Sequence, residues 1–405
     1  MSNSNHSERL TAVDLFCGCG GISVGLRSAG FEVLAGVDIN KKYICSFENN
    51  FPNAQVITDD ITGIPPAKFM DRLSLNVGDL TLLAGGPPCQ GFSKNTPRKF
   101  RCLEDERNQL IRTYLNYCEV LQPKMILIEN VAEMRNGFDQ AYTREIEQRL
   151  GNAGYTVHHA VLTAADFGVP QRRRRAFFLA TRLGFTFGTP ISTHFAIDTS
   201  QDQSLFNESH YVTVWGAIGD LPSLTHGQTP SVVEYVSEPQ NEFQSKMRGC
   251  LKSVTGHVTR KLAPIQFARL NAIEPGQGLK DLPKELQTKG GFSGAYGRLT
   301  KQMVAPTITR WVFHTGSGRW GHPVDIRTLS IREIARIQSF PDSYNFVGSF
   351  NDQAGQLGNA VPPLLAEVIV NYMLREVKAH ATPPIVSVKK QTIKDASNQP
   401  SHLII

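Results

Sequence analysis

Over the first 185 residues, short apolar runs alternate with stretches whose apolar residues recur every three or four positions. Lys124–Ile128 is the most telling run. It is apolar without alternation, as a strand buried on both faces of a parallel sheet requires. Thr11–Phe16, Glu32–Val37, Asp79–Ala84, Val157–Leu162 and Ala176–Ala180 read as further strands. Between them, Gly21–Ala29 has helical spacing, and Gly30 stands where a helix C-cap favours a residue without Cβ. Leu110, Ile111, Tyr114, Leu115, Cys118 and Leu121 form one helical stripe that Pro123 closes. This alternation predicts a doubly wound α/β domain.

After about residue 185 the texture changes. Gly, Pro, Ser, Thr and Gln become common, helical periodicity fades, and irregular structure with short strands is expected. Helical spacing returns at Ser330–Ser339, stopped by Pro341, and at Leu364–Val377. The last 25 or so residues are polar and read as a frayed tail. Composition adds limits. With 405 residues, 40% of them hydrophobic and 19% charged, fibrous, collagen-like and wholly disordered classes are excluded. Two or three domains are expected. The net charge of +6 permits a polyanionic partner without demanding one. No run approaches the roughly 18 apolar residues of a membrane span, and Met1–Arg9 lacks a signal-peptide core. The seven cysteines include no Cys-x-x-Cys pair, so reduced thiols in a cytoplasm and no metal site are expected.

Four short motifs carry chemistry. Asp14–Gly21 is a Gly-rich turn between a strand and a helix. A dinucleotide fingerprint needs a third glycine where Ser23 stands, which weakens a pyrophosphate reading. Asp38 ends the second strand, suited to ribose hydroxyls, and Asp60 follows the next, suited to an adenine amine. Together they suit a nucleoside without phosphates, such as S-adenosylmethionine. A plain tight turn whose acids cap helices is the competing reading. Gly85–Ser93 places Cys89 behind Pro87 and Pro88, which stiffen the approach to a strand's C-terminal end. A thiol there can act as a nucleophile, although most lone cysteines are buried hydrophobes. Glu129 ends an apolar strand, where partial desolvation favours its protonated form, or it caps a helix or pairs with a cation. In Gln171–Arg175, alternation puts Arg173 and Arg175 on one face and Arg172 and Arg174 on the other.

Together these motifs resemble the DNA cytosine-5 methyltransferase family, of the bacterial restriction-modification type. The matching pieces are Asp14–Gly21, Gly85–Ser93, Glu129–Val131, Gln171–Arg175, Arg327–Gln338 and Gln356–Pro363. The resemblance covers most of residues 11–185 and 296–375. It implies an S-adenosylmethionine-dependent methyltransferase fold, a Rossmann-like doubly wound sheet with a smaller irregular or β target-recognition domain inserted. Residues 1–185 and 329–378 would form the catalytic domain, 186–328 the target-recognition domain and 379–405 a flexible tail. It implies methyl transfer to C5 of a flipped-out cytosine in duplex DNA, with S-adenosylhomocysteine as product and no metal.

The resemblance also assigns residues. Cys89 would add to C6 of the ring. Glu129 would donate to N3, and Arg173 and Arg175 would complete the catalytic set, Arg175 reaching O2. Phe16, Gly18, Gly20, Gly21, Asp38, Asp60, Pro88, Leu110, Asn359 and Val361 would hold the cofactor. Lys94–Arg107 resembles a mobile active-site loop; its Arg98, Lys99 and Arg101, with Ser93 and Gln171, would meet DNA. The implied enzyme is a cytoplasmic, nucleoid-associated monomer, with a cognate restriction endonuclease as an optional partner outside any stable complex. Competing expectations are an RNA cytosine-5 methyltransferase and a catalytically silent DNA-binding regulator. An amino-group methyltransferase is opposed by Cys89 itself, and a nicotinamide oxidoreductase by Ser23.

Overall fold

The computed structural model of the chain describes residues 9–88, 109–196 and 209–381. Seven strands form one sheet: β1 (Thr11–Leu15), β2 (Glu32–Val37), β3 (Gln55–Ile57), β4 (Leu82–Gly85), β5 (Met125–Val131), β6 (Thr156–Thr163) and β7 (Arg174–Thr181). Their spatial order is β3-β2-β1-β4-β5-β7-β6. The first five run parallel. β7 runs antiparallel to both β5 and β6. The reason is chain length. Only residues 164–173 join β6 to β7, too few for the crossover of a dozen or more residues that a parallel return needs.

Six helices accompany this sheet: α1 (Gly21–Ser28), α2 (Lys41–Asn50), α3 (Pro66–Leu73), α4 (Gln109–Leu121), α5 (Ala132–Asn136) and α6 (Ala141–Asn152). Period-two alternation sorts the strand residues between two cores. Met125 and Leu127 of β5 join one, and Ile126 and Ile128 join the other. The second core is closed by Phe69 of α3, Tyr114 and Leu115 of α4, and Ile146 and Leu150 of α6. Each such side chain contributes roughly 1.5–3 kcal/mol by leaving water. Gly30 adopts φ +87 just past α1, where the sequence places a helix stop.

The described part of residues 186–328 holds short elements, in keeping with its irregular sequence texture. Among the described residues these are β8 (His194–Phe195), β9 (Ser209–His210), β10 (Val232–Glu234) and β11 (Ser253–Thr255), with helices α7 (Val214–Ile218), α8 (Glu242–Arg248) and α9 (Pro264–Asn271) and a few 3₁₀ turns. The chain then returns through α10 (Ile331–Ile337), α11 (Phe350–Asn359) and α12 (Pro363–Ala381). Ser330 and Glu333 cap α10 reciprocally, through Glu333 N to Ser330 Oγ at 3.1 Å and Ser330 N to Glu333 Oε2 at 2.7 Å.

The return completes the first core. Leu365, Ala366, Ile369 and Met373 of α12 pack with Ile22, Val24 and Leu26 of α1. A Cβ on Gly25 would lie 2.6 Å from that of Ala366, so the helices meet through a glycine face. Phe350–Ala381 is long and apolar enough by composition to cross a membrane. It is broken between α11 and α12, and Leu365, Ile369 and Met373 are fully buried within the protein. Arg336 of α10 ties the return to the preceding region. Its guanidinium lies 2.9 Å from Asp220 and 2.6 Å from Asp342, all three buried.

Candidate active site

Strand order reverses direction between β1 and β4, where open α/β sheets place ligands beyond the strand C-termini. A cavity of about 500 Å³ opens there. The turn from β1 into α1 forms one wall. Phe16 (φ +62), Gly18 (φ +55) and Gly20 (φ +85) bend it through left-handed backbone. Gly18 has no other atom within 4 Å of where a Cβ would stand. Its N–H donates to Asp38 Oδ2 at 2.8 Å, and Asn40 N–H donates to Oδ1 at 2.8 Å. Asp38 therefore shapes the turn as well as facing the cavity, and burial raises its pKa above the ordinary carboxylate value.

Asp14 lies deeper on the same wall and is fully buried. Ser23 Oγ donates to its Oδ2 at 2.5 Å, while Oδ1 has no hydrogen-bond partner. Burial pushes its pKa up to about 7, against the lowering effect of the Ser23 bond. The serine that breaks the dinucleotide fingerprint is thus the partner of this acid.

The facing wall comes from β5, β7 and the Gly85–Pro88 turn. Asn130 Nδ2 donates to Pro87 O at 2.8 Å and anchors that turn. A Cβ on Gly86 would lie 3.1 Å from Glu129 Oε2, so the backbone approaches the carboxylate closely. Arg175 Nε lies 2.9 Å from Glu129 Oε1. This is a charge contact off the hydrogen-bond axis, and Oε1 remains buried without a hydrogen bond. The strand-end acid is therefore held beside a cation, with one oxygen still able to accept. Arg173 is buried as alternation predicts, while Arg172 and Arg174 are exposed. Its Nη1 donates to Ile308 O at 3.1 Å and Gly358 O at 3.3 Å, and its Nε has no partner. Burial lowers its pKa, with Arg175 adding to the effect.

A family model described as C-5 cytosine-specific DNA methylase matches residues 10–375. The chain belongs to this family. It is 31% identical to the Type II methyltransferase M.AgeI of Thalassovita gelatinovora, over 89% of this chain and 98% of that one. It is 32% identical to the Type II methyltransferase M.DdeI of Desulfomicrobium norvegicum, over 89% and 87%. A prophage-encoded protein of E. coli, solved as a DNA modification methyltransferase, shares the fold with a TM-score of 0.71, 23% identity and coverage of 91% and 99%. The activity is that of a DNA (cytosine-5)-methyltransferase.

In this methylase, Phe16, Gly18, Gly21, Asp38, Pro88, Glu129, Arg173, Arg175, Asn359 and Val361 meet on the cavity wall. Gly20 sits just behind it, its Cβ position 3.0 Å from the Phe47 ring. Asp60 does not reach the wall. It is exposed, and its Oδ1 caps a 3₁₀ turn by accepting from Thr62 N at 2.9 Å. Leu110, in the first turn of α4, also lies off the wall. Gln171 departs furthest from expectation. It is fully buried, donates to Gln338 Oε1 at 2.6 Å and accepts from Ile308 N at 2.8 Å, so it has no surface to offer DNA. Cys89, Ser93, Arg98, Lys99 and Arg101 lie outside the described residues. Sequence reasoning passed over Asp14, Ile39, Tyr43 and Arg310, which also line the cavity. Asp14 stood inside a motif already singled out; Arg310 carried no local signal.

Proposed function

We propose that the methylase transfers a methyl group from S-adenosylmethionine to C5 of a cytosine turned out of a short duplex DNA sequence, through a covalent bond between Cys89 and C6. One observation carries this reading: Glu129 and Arg175 face Asp38 and the Asp14–Gly21 turn across a single cavity. The residues fit the cofactor. Asp14 Oδ1 is a buried acceptor without a donor, suited to the cationic methionine end, and Gly18 leaves its side of the turn open. Asp38 suits the ribose, with the apolar Ile39 (65% exposed) beside it for the adenine. Pro88, Asn359 and Val361 complete that wall. When bound, S-adenosylmethionine supplies a methyl group on a sulfonium and leaves as S-adenosylhomocysteine.

Cytosine C5 is too weakly nucleophilic to take that methyl unaided. Cys89, which directly follows Pro88 in the chain, adds as thiolate to C6 and makes C5 an enamine-like carbon. Glu129 holds the N3 edge of the ring, and Arg175 stabilises charge developing on O2. C5 would then take the methyl that the bound cofactor supplies, the carbon–sulfur electron pair staying with sulfur. A base then takes the C5 proton, the C6–sulfur bond breaks, and Cys89 leaves as thiolate. Arg173 positions this group by fixing the 308 and 358 carbonyls beside it.

Residues 1–185 and 329–378 serve as the catalytic domain, 186–328 as the target-recognition domain and 379–405 as a tail. Ser93, Arg98, Lys99 and Arg101 contact the DNA. The enzyme acts as a cytoplasmic monomer on the nucleoid, protecting sites from a restriction endonuclease that reads the same sequence. Support for that pairing is the likeness to M.AgeI and M.DdeI. Expression in a host without cytosine methylation, followed by conversion sequencing, tests the whole reading. The expected result is 5-methylcytosine at one short recurrent sequence, lost in Cys89→Ser. A folded, cofactor-binding chain that leaves DNA unmodified but methylates RNA would reverse the substrate assignment.

A further inference from the structure

A second cavity, of about 430 Å³ and open to solvent, lies in the region after residue 289. One segment joins it to the first. Arg310 is on the wall of the catalytic cavity, and Trp311 is on the wall of the second. That segment cannot drift. A Cβ on Gly358 would stand 2.2 Å from Arg310 N, so the backbone is pressed against α11. The Trp311 carbonyl accepts from His314 N at 2.8 Å and from Ser317 Oγ at 2.6 Å. Across the cavity, Tyr296 N donates to Thr315 O at 2.8 Å and closes the two loops on each other. Gly316 forms a tight floor, where a Cβ would lie 3.0 Å from the Tyr296 hydroxyl and 3.1 Å from His314 Cε1.

In this rigid setting Trp311 is 50% exposed, and Phe292, next to Gly291 of the cavity wall, is 56% exposed. Contiguous exposed apolar surface marks contact sites, and here Trp311 lines the cavity while Phe292 adjoins its wall. The Arg310 guanidinium lies over the Trp311 ring at 4.8 Å. Residues 287–324 contain no Asp or Glu but five Lys or Arg: Lys289, Arg298, Lys301, Arg310 and Arg319. Arg298 is spent on the carbonyls of Ile273, His322 and Val324. Lys301 lies over the Trp215 ring at 4.4 Å, whereas the Arg310 guanidinium stands against the Trp311 indole itself, a pairing of cation and aromatic ring that complements a base on a phosphate backbone.

We propose that this cavity seats one nucleobase of the recognition sequence other than the target cytosine. The base, turned out of the helical stack, lies on the indole face that the Arg310 guanidinium leaves free, and Arg310 neutralises an adjacent phosphate. The proposal rests on the chain acting on duplex DNA, and it makes Trp311 a determinant of site choice rather than of methyl transfer.

The test uses the full chain and duplexes carrying the mapped site, with 2-aminopurine placed at each non-target position in turn. The expected result is a fluorescence change at one position that W311A abolishes and W311F largely restores. W311A should weaken binding to the site duplex about tenfold to a hundredfold. Its S-adenosylhomocysteine affinity and melting temperature should match the wild type. Wild-type affinity and fluorescence in W311A would overturn the proposal. So would an equal loss on an unrelated duplex, which would reduce Trp311 to a sequence-blind contact. So would a lowered melting temperature in both variants, which would make it structural. None of these outcomes touches methylation by the wild-type chain, whereas failure of that methylation strikes the reading beneath.

Discussion

At Asp14, burial and an orphaned oxygen create a pH dependence. Its pKa is about 7 in the free protein against an ordinary 3.8. A cationic ligand favours the carboxylate, so affinity for S-adenosylmethionine should rise from about pH 6 to about pH 8 and then level. Below about pH 7, binding should release up to one proton, which calorimetry in buffers of different ionisation heat detects. A flat affinity across that window would remove Asp14 from the cofactor's site. The fold obeys the opposite sign. Because the folded pKa lies above the unfolded one, this group's contribution to stability is lost as pH rises from about 4 to about 7. Asp14→Asn should remove that dependence and cost about 1.5–3 kcal/mol of cofactor affinity. Glu129→Gln should leave DNA and cofactor binding intact and lower kcat by about 10²–10⁴, read in single-turnover methylation. The sequence announced Glu129 through its motif and carried Asp14 only as the first residue of the Gly-rich turn. It could not announce that Oδ1 of one and Oε1 of the other lack hydrogen bonds, because burial of an atom is decided by distant residues.

Among the elements, the packing of α1 against the link between α11 and α12 is the one that shapes the cavity wall. A Cβ on Gly21 would fall 2.2 Å from Val361 O, and backbone cannot retreat as a side chain can. Gly21→Ala should therefore destabilise the fold by about 1–3 kcal/mol. It should also weaken cofactor binding, since Gly21 and Val361 share the cavity wall. Denaturant melts and cofactor titration of one preparation would show both. A variant with unchanged melting would mean that the α11–α12 link retreats from α1 at no cost. Local sequence marked these elements well. Glu32–Val37 is a strand over its full expected range, and α1 starts at Gly21. The reversal of β7 was hidden. A run such as Ala176–Ala180 reads alike in either direction, and only the short connection back to β6 decides it.

For the whole molecule, Arg336 links the region before α10 to the returning helices. Its loss leaves Asp220 and Asp342 buried without their shared cation. Arg336→Ala should cost about 3–5 kcal/mol of stability, visible as a lowered melting temperature of the full chain. Preserved stability would mean that the two acids find other partners or become protonated. What the sequence determined by itself was everything set by near neighbours. The alternation of strand and helix periods, the left-handed glycine turn, the capped start of α10 and the motif set with its family resemblance are all of this kind. Spacing of residues along a helix or strand fixes which side chains share a face, and that information is local.

What the tertiary structure decided was which of those side chains a ligand can reach. Gln171 and Arg173 belong to one arginine-rich motif, yet Gln171 is locked to Gln338 and Ile308 while Arg173 joins the cavity wall. Asp60 and Leu110 sit near the right strands but off the wall, and Arg310 reaches it from a segment without local signal. The partners responsible stand 135 to 185 residues away along the chain. Solvent access depends on where the returning helices press, and no local period encodes the placement of so distant a segment.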